Sequence, residues 1–467
     1  MATAALLFAF IGIVTVDVPS NEASFLNANE RGLWSTVSVM ADGVDATKSD
    51  AWQEVAAEPA CVESQDSPSP FASMVAASYQ VVKKAFRFSL DDQSVVTTRI
   101  VLALVNLPLL AVFFAATIFT IDRVGCTKWS RFTAAAATCF ATMLLPLSAS
   151  LNYQLPAAAA TAATLWLYMH VSDRLEHSYQ PSHRIWVAAG FTATMAAAFQ
   201  FSAALMLVPW LLLFGRLDHE EIRRFLTGSA IAGAFFVCSW IVYFTLVDQS
   251  PVHQAAVHET AVHETAVHET AVHEVTVHRA AVGQAGLGQT SAHPMATDQG
   301  QSLSMQEIAN VSRAADAEVP ATAADLRESL SVVESIFHAI GGHHGLFSLT
   351  PLWLLLPIAL VAGIRFEPSE FQVLAFAVAV VSLTCLLFCI AALVFGSESR
   401  LPQIYPSQLI WMTPLWLLMI TPLIEQFEGS RHRRVLVIAL LGISVVSALA
   451  AFPSASASSW LYRVWPL

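Results

Sequence analysis

Charge is what this chain has least of. Only 12% of its 467 residues are Asp, Glu, Lys or Arg, against roughly 25% in an ordinary soluble protein. Cysteine is also sparse, with six residues and no C-x-x-C spacing, so neither a disulfide framework nor a cysteine zinc site is indicated. Cys385 and Cys389 lie four apart on one helical face and read as small apolar fillers between helices. The formal net charge of −12 excludes the basic footprint of a nucleic-acid binder. No apolar segment carries an acidic or basic residue near its middle. That absence counts against ion-coupled carriers, pumps and voltage sensors, which need such groups inside the bundle.

What is present is hydrophobic sequence, 55% of the chain. Several runs approach or exceed the roughly 18 residues that a helix needs to cross hydrocarbon. Eleven apolar segments stand out, at about 2–16, 95–121, 131–150, 154–171, 185–199, 201–215, 225–247, 346–364, 371–395, 407–424 and 434–452. They predict an all-α, polytopic transmembrane helix bundle of about eleven spans. The first reads as an uncleaved helix, because "VDVPSNEAS" offers no A-x-A cleavage site. Asn106 and Pro108 in the second segment predict a kink, with the amide satisfied between helices.

Orientation can be read separately. With a cytoplasmic N-terminus, the inside loops collect Arg123, Lys128, Arg131, Arg174, Arg184, Arg216, Arg223, Arg224, Arg365, Arg431, Arg433 and Arg434, while the short outside segments hold only Arg400 and Arg463. This satisfies the positive-inside rule. It requires two short helices, not one long helix, around Gln200. Trp129, Trp186, Trp210, Trp240, Trp353 and Trp460 fall near segment ends, where interfacial anchors are expected. The chain then divides into four parts. Residues 1–94 form the first span and a large outer loop, 95–247 hold spans two to seven, 248–345 form a second outer loop, and 346–467 hold spans eight to eleven and a short tail.

The first outer loop contains "FASMVAASYQVVKKAFRF", which puts Phe71, Met74, Val75, Tyr79, Val82 and Phe86 at helical spacing. It predicts an amphipathic juxtamembrane helix, lying on the outer membrane surface or packed on the bundle. Upstream, "FLNANERGLWSTVSVM" sets Asn29, Glu30 and Arg31 before the amphipathic pattern Leu33, Trp34, Val37. A carboxylate held at Glu30 could take a proton from an acceptor hydroxyl. Asn29 and Glu30 could equally cap and charge a helix start.

The second loop holds a five-residue repeat over 251–290, with AVHET three times in succession. Its histidines, His253 to His278, are five apart, so they spread by about 140° per step around a helix and alternate faces on a strand. That spacing excludes the H-E-x-x-H signature. A flexible outer insert is the expectation, with loose zinc or copper binding as the alternative.

Taken in order, "NANERGLWSTV", "TTRIVLALVNLPLL", "GCTKWSRFTAAAATCFATML", "LNYQLPAA", "GGHHGLFSLTPLWLL" and "SQLIWMTPLWLL" resemble the GT-C glycosyltransferases, the superfamily of the protein O-mannosyltransferases and the lipid A aminoarabinose transferases, and more closely bacterial multi-pass relatives grouped with them. The resemblance runs from about residue 25 to the C-terminus and leaves out the repeat. It implies a bacterial inner-membrane enzyme with large extracytoplasmic loops. Such an enzyme moves a sugar from a polyprenyl-phosphate donor, within the lipid bilayer, to an acceptor that the sequence does not identify.

On that resemblance Glu30 is the general base of an inverting displacement and Arg31 a phosphate contact beside Asn29. His343 and His344 face a headgroup or acceptor, or are interfacial residues of a flexible turn. Asn152 and Tyr153 line the outer cavity, or only build the turn. Basic groups or a divalent metal would stabilise the leaving phosphate. Three positions depart from the pattern. Glu30 stands where members carry Asp, "SPSPF" lacks the lysine of a Lys-Pro-Pro-Leu motif, and Ile410 precedes Trp411 where an arginine is expected. A non-enzymatic scaffold or lipid-handling protein of the same fold is the alternative function, and a transporter the third.

Overall fold

All eleven apolar segments carry helix, and the described residues contain no strand. The structure is a computed structural model that describes residues 1–15, 33–34, 36–38, 40–41, 70–88, 94–215, 219–247, 346–365, 369–395 and 407–450. Candidate residues Asn29, Glu30, Arg31, His343 and His344, the 251–290 repeat and Trp460 lie outside them.

In chain order the helices are α1 (Ala2–Thr15), α2 (Pro70–Phe86), α3 (Ser94–Val124), α4 (Lys128–Phe140), α5 (Leu144–Leu147), α6 (Gln154–Glu176) and α7 (His183–Phe199). A 3₁₀ turn at Phe201–Met206 leads into α8 (Leu207–Gly215) and α9 (His219–Val247). Then come α10 (Leu346–Leu349), a 3₁₀ turn at Pro351–Leu355, α11 (Leu356–Ile364), α12 (Ser369–Phe395), α13 (Ser407–Ile410), α14 (Thr413–Phe427) and α15 (Arg431–Ala450).

Among the described residues, four stretches are long and apolar enough to cross a membrane: Val95–Val124, Glu221–Ile241, Phe371–Ala391 and Arg431–Ala450. Their outward faces fit lipid better than water. On α3 Leu104, Val112 and Phe119 recur at helical spacing and are all exposed. On α12 Phe376, Val380, Leu383 and Leu387 do the same.

The remaining apolar segments are shorter, broken or less apolar, for local reasons. The 131–150 segment is two pieces. Thr127 caps α4 by accepting the Ser130 amide at 3.1 Å, the helix ends at Phe140, and α5 is a single turn containing Pro146. The chain also breaks at Gln200, whose extended φ of −137° separates α7 from the 3₁₀ turn, as the sidedness argument required.

Two helices form the middle. Helix α6 packs on α3, α7 and α14, and Ala157, Ala158, Ala159 and Ala162 on it are fully buried or nearly so. Small residues let backbones approach closely where no hydrophobic gradient separates helix from lipid. That explains why a central helix can be rich in Ala and Thr and still lie inside. Helix α14 is buried along most of its length. Hydroxyl and indole groups link neighbouring helices: Thr164 Oγ1 to Thr192 Oγ1 at 2.9 Å, Trp416 Nε1 to Ser382 Oγ at 3.0 Å and Trp411 Nε1 to Ser202 Oγ at 2.8 Å.

The closest approach is between α7 and α9. A Cβ added at Gly190 would lie 1.9 Å from the Phe225 carbonyl oxygen, and one at Gly228 would lie 2.0 Å from that of Val187. Backbone meets backbone there, so nothing can give way.

Two sequence expectations resolve. Helix α2 packs on the bundle, against α3, α7 and α9, with Phe71, Val75, Tyr79 and Val82 buried and Phe86 exposed. Three of the tryptophans expected as surface anchors are packed inside the bundle. Trp186, Trp210 and Trp353 are buried, and Trp186 and Trp210 join Tyr168, Phe214 and Phe225 in one aromatic cluster. Phe214 is its hub, with ring centroids 4.9 Å from Phe225 and 5.4 Å from Tyr168. Trp240 alone of these four is exposed.

Candidate functional site

The bundle offers two regions with polar chemistry. The first surrounds the turn between α5 and α6. Asn106, fully buried on α3, donates from Nδ2 to the carbonyl oxygens of Ser148 at 2.9 Å and Ser150 at 3.0 Å. The amide is thus satisfied between elements on its donor side, while Oδ1 has no partner among the described residues. The turn is pinned eighteen residues, or about 27 Å, from the C-terminal end of α3. The first dozen residues of α3 rise about 18 Å beyond it.

Asn152 is committed to this turn. Its Nδ2 donates to the Leu147 carbonyl at 2.7 Å and the Ser150 carbonyl at 3.1 Å, and its Oδ1 accepts the Leu155 amide at 3.1 Å. This is the use that helix starts make of asparagine. Tyr153 sits edge-on to Phe71 of α2 with centroids 5.7 Å apart. The turn therefore touches α2 through Tyr153, and α5 also contacts α1 and α15.

Of the segment following Asn29-Glu30-Arg31, the described side chains are mostly buried in the bundle. Leu33, Trp34, Val37 and Ser38 are at most 4% exposed and, Ser38 aside, share one apolar core with α1 and α2. Gln80 of α2 donates its side-chain amide to the Ala41 carbonyl. On the other flank, Met143, Leu346, Leu349, Thr350, Trp353, Ile410, Thr413 and Trp416 enclose a void of about 10 Å³, enough for one water at most. Ile410, at the position where the sequence resemblance led us to expect an arginine, is 8% exposed in this apolar packing.

Sequence reading missed Arg99. It lies seven residues before Asn106 on α3, two turns and about 10 Å along the same face. The signal was available in the seven-residue spacing, but Arg99 sits at the margin of an apolar segment, where an arginine reads as a boundary.

The second region is at the opposite end, where α3, α6 and α14 finish. Arg123 pairs with Asp173, and its Nη1 donates to the Met169 carbonyl at 2.7 Å. The guanidinium bonded to Asp173 holds that carboxyl below its usual range, against a smaller upward push from desolvation. Nδ1 of His177 lies 3.6 Å from the same carboxylate. The Cys126 amide donates to Glu425 Oε2 at 3.1 Å, joining positions 299 residues apart. Between these groups lies a cavity of about 440 Å³. It has an apolar floor of Val124, Tyr168, Met169, Phe371, Leu374 and Pro422, and a polar margin of Arg123, Cys126, Ser172, Glu176, Glu425 and Gln426.

The described residues hold no group of three or more His, Cys, Asp or Glu able to take a metal ion. Of the candidate residues, the structure describes Asn152 and Tyr153, adjacent on one turn; it does not bring the described acids together there.

No family model matches the chain, and no curated protein matches it either. Among solved structures it is similar to the oligosaccharyltransferase AglB of the archaeon Archaeoglobus fulgidus, solved in complex with an inhibitory peptide and a dolichol-phosphate. The identity is 13% and the TM-score 0.44, over 97% of this chain and 56% of that one. The chain thus spans a little over half the length of that protein, and we rest neither fold nor activity on a likeness of this degree.

Proposed function

We propose that this chain is a GT-C-type membrane glycosyltransferase that draws a sugar from a polyprenyl-phosphate carrier on the extracytoplasmic side of a bacterial inner membrane. One observation carries the reading. The pattern Leu33, Trp34, Val37, immediately after Asn29-Glu30-Arg31, is buried in the apolar core of the bundle, and Gln80 of α2 reaches the Ala41 carbonyl just beyond it. Three residues of chain span at most about 11 Å, and this short reach to a packed segment supports Glu30 as the general base. His343 and His344 precede Leu346 by the same short reach, and Leu346 borders Met143 at the start of α5.

In this mechanism the acceptor hydroxyl gives its proton to Glu30 as its oxygen bonds to the anomeric carbon. The bond from that carbon to the phosphate oxygen breaks with inversion, leaving polyprenyl phosphate. Arg31 and Arg99 meet the negative charge that grows on the phosphate. Asn29, His343 and His344 contact donor or acceptor. Asn152 and Tyr153 shape the turn that floors the site. No step is routed through a metal.

The test uses cells lacking the chain, complemented with wild type, Glu30→Ala or Glu30→Asp, with lipid-linked sugars and surface glycans profiled. Glu30→Ala is expected to match the deletion, a loss on the order of 10²–10⁴ in rate, and Glu30→Asp to recover part of it. A wild-type profile from Glu30→Ala would sink the catalytic role. That outcome would favour the non-enzymatic scaffold, which buried Ile410 at the expected arginine position already supports. Flux that follows a proton or sodium gradient in purified vesicles would instead revive a transporter.

A further inference from the structure

The cavity at the Arg123 end has no part in that reading. It lies at the opposite end of α3 from Arg99 and Asn106, at the close of the helices that carry Arg123, Asp173 and Glu425. Its volume of about 440 Å³ falls within the roughly 300–1,000 Å³ of small-molecule sites. Its composition is asymmetric: the floor is apolar, whereas the ionisable groups sit at the margin.

The sign of that margin can be worked out. Arg123 is the lining cation, and it is bound to Asp173 and the Met169 carbonyl. Arginines of the adjoining segments are absent from the lining and make their contacts elsewhere. Arg131 Nε donates to the Gly125 carbonyl at 2.6 Å, Arg434 donates to the Glu428 carbonyl, and Arg433 lies 5.6 Å over the Phe427 ring. Against these stand the lining carboxylates Glu176 and Glu425. Of the four helices whose residues line the cavity, α3, α6 and α14 present C-terminal ends, the negative poles of their dipoles, and α12 an N-terminal end, while α4 starts two residues past Cys126. Charge and dipole together favour a cation over an anion.

We propose that this cavity binds an amphiphile with an apolar body and a cationic amine head. The body lies on Tyr168, Met169, Phe371, Leu374 and Pro422. The ammonium lies between Glu425 and Glu176. An amino-headed phospholipid and a free aliphatic amine share this chemistry.

Cys126 provides the readout, because it lines the cavity and is exposed. The full chain carrying Cys61→Ser and Cys238→Ser, in a non-ionic maltoside micelle, would be labelled with N-ethylmaleimide. Cys139, Cys385 and Cys389 are buried. Decylammonium, decanoate and added decyl maltoside supply one tail with positive, negative and neutral heads. Protection follows 1 + [L]/Kd, so a probe at about nine times its Kd slows labelling about tenfold. Decylammonium is expected to do so at concentrations where the other two have no effect. Glu425→Gln should abolish the preference, since glutamine still accepts the Cys126 amide but carries no charge. Leu374→Trp, which fills the floor, should abolish protection altogether.

Equal protection by all three probes, or by none, overturns the proposal. So does a decylammonium preference that survives both Glu425→Gln and Glu176→Gln. Protection by phosphatidylethanolamine at lower concentration than decylammonium assigns a lipid, the reverse order assigns a free aliphatic amine, and equal protection by ethanolamine, which lacks the apolar body, overturns the proposal. Every arm is independent of Glu30 and of sugar transfer, so failure here leaves the glycosyltransferase reading standing.

Discussion

The two ends of α3 use their polar atoms in opposite ways. At the turn end, Asn106 and Asn152 turn their amides onto backbone carbonyls of residues 147–150, and the void alongside measures about 10 Å³. At the other end, Arg123, Glu425 and Glu176 stand around about 440 Å³. A polar residue in an apolar chain is therefore not by itself a sign of a site. The first set closes a turn that would otherwise bury unpaired carbonyls. The second surrounds space that the protein leaves open.

The middle of the bundle supports both ends, and breaking it should erase the contrast. Gly190→Val places atoms against the Phe225 carbonyl, which cannot move without parting α7 from α9. Overpacking alone costs about 1–3 kcal/mol, and a rigid backbone contact puts this variant above that range. The expected outcome is loss of the folded chain from detergent extracts, read by size-exclusion profile. Gly442→Val, with nothing within 4 Å of its added Cβ, should behave almost as wild type.

Phe214→Ala comes next and should separate the ends. Phe214 joins α6, α7, α8 and α9 through four ring contacts, and Tyr168 within that cluster also lines the large cavity. Truncating a buried phenylalanine costs about 3–5 kcal/mol. Thermal unfolding should register that loss, and Cys126 should label faster while the turn end keeps its proteolytic protection. Equal loosening of both ends would show that they do not unfold as separate units.

Asn106→Leu probes the turn. It leaves the Ser148 carbonyl without its donor, while Ser150 keeps that of Asn152, at about 1–3 kcal/mol for a buried group. Proteolysis near residue 150 should rise, and Cys126 labelling should stay unchanged.

How far this was legible in the sequence follows from the same residues. Periodicity was enough to read α2, because Phe71, Val75, Tyr79 and Val82 are buried by their own helical face. It was enough for the break at Gln200, because sidedness of the arginines demanded one. It failed at Trp186, Trp210 and Trp353, where position near a segment end looked interfacial but neighbouring rings enclose the indoles. The large cavity was not readable at all. It depends on Arg123 meeting Met169 and Cys126 meeting Glu425, the latter across 299 residues, and each separately looks like a loop residue or a core filler. Eleven spans were read from apolarity. The structure gives helix at all eleven and, among the described residues, crossing length and hydropathy at four, because α1, α8 and α11 are short and central helices such as α6 are rich in small side chains.

The smallest effect concerns Asp173 and sharpens the contrast by pH. Its folded-state pKa is depressed by the Arg123 guanidinium, so the unfolded chain binds the proton more readily. The stabilisation is therefore fully present above the ordinary carboxylate pKa of about 3.9, and it fades as pH falls through the lower folded value. Both side chains are partly exposed, at 31% and 37%, and salt screens such a pair. Asp173→Asn should thus lower the thermal midpoint only slightly at neutral pH. The gap between wild type and variant should narrow as pH drops below 4, and it should shrink at high salt. His177, 3.6 Å away, adds a second charge when protonated, so His177→Ala serves as the control that isolates Arg123. A gap that widens on acidification would mean that Asp173 is held by something other than a cation. The electrostatic sign assigned to the cavity margin would then need to be redrawn.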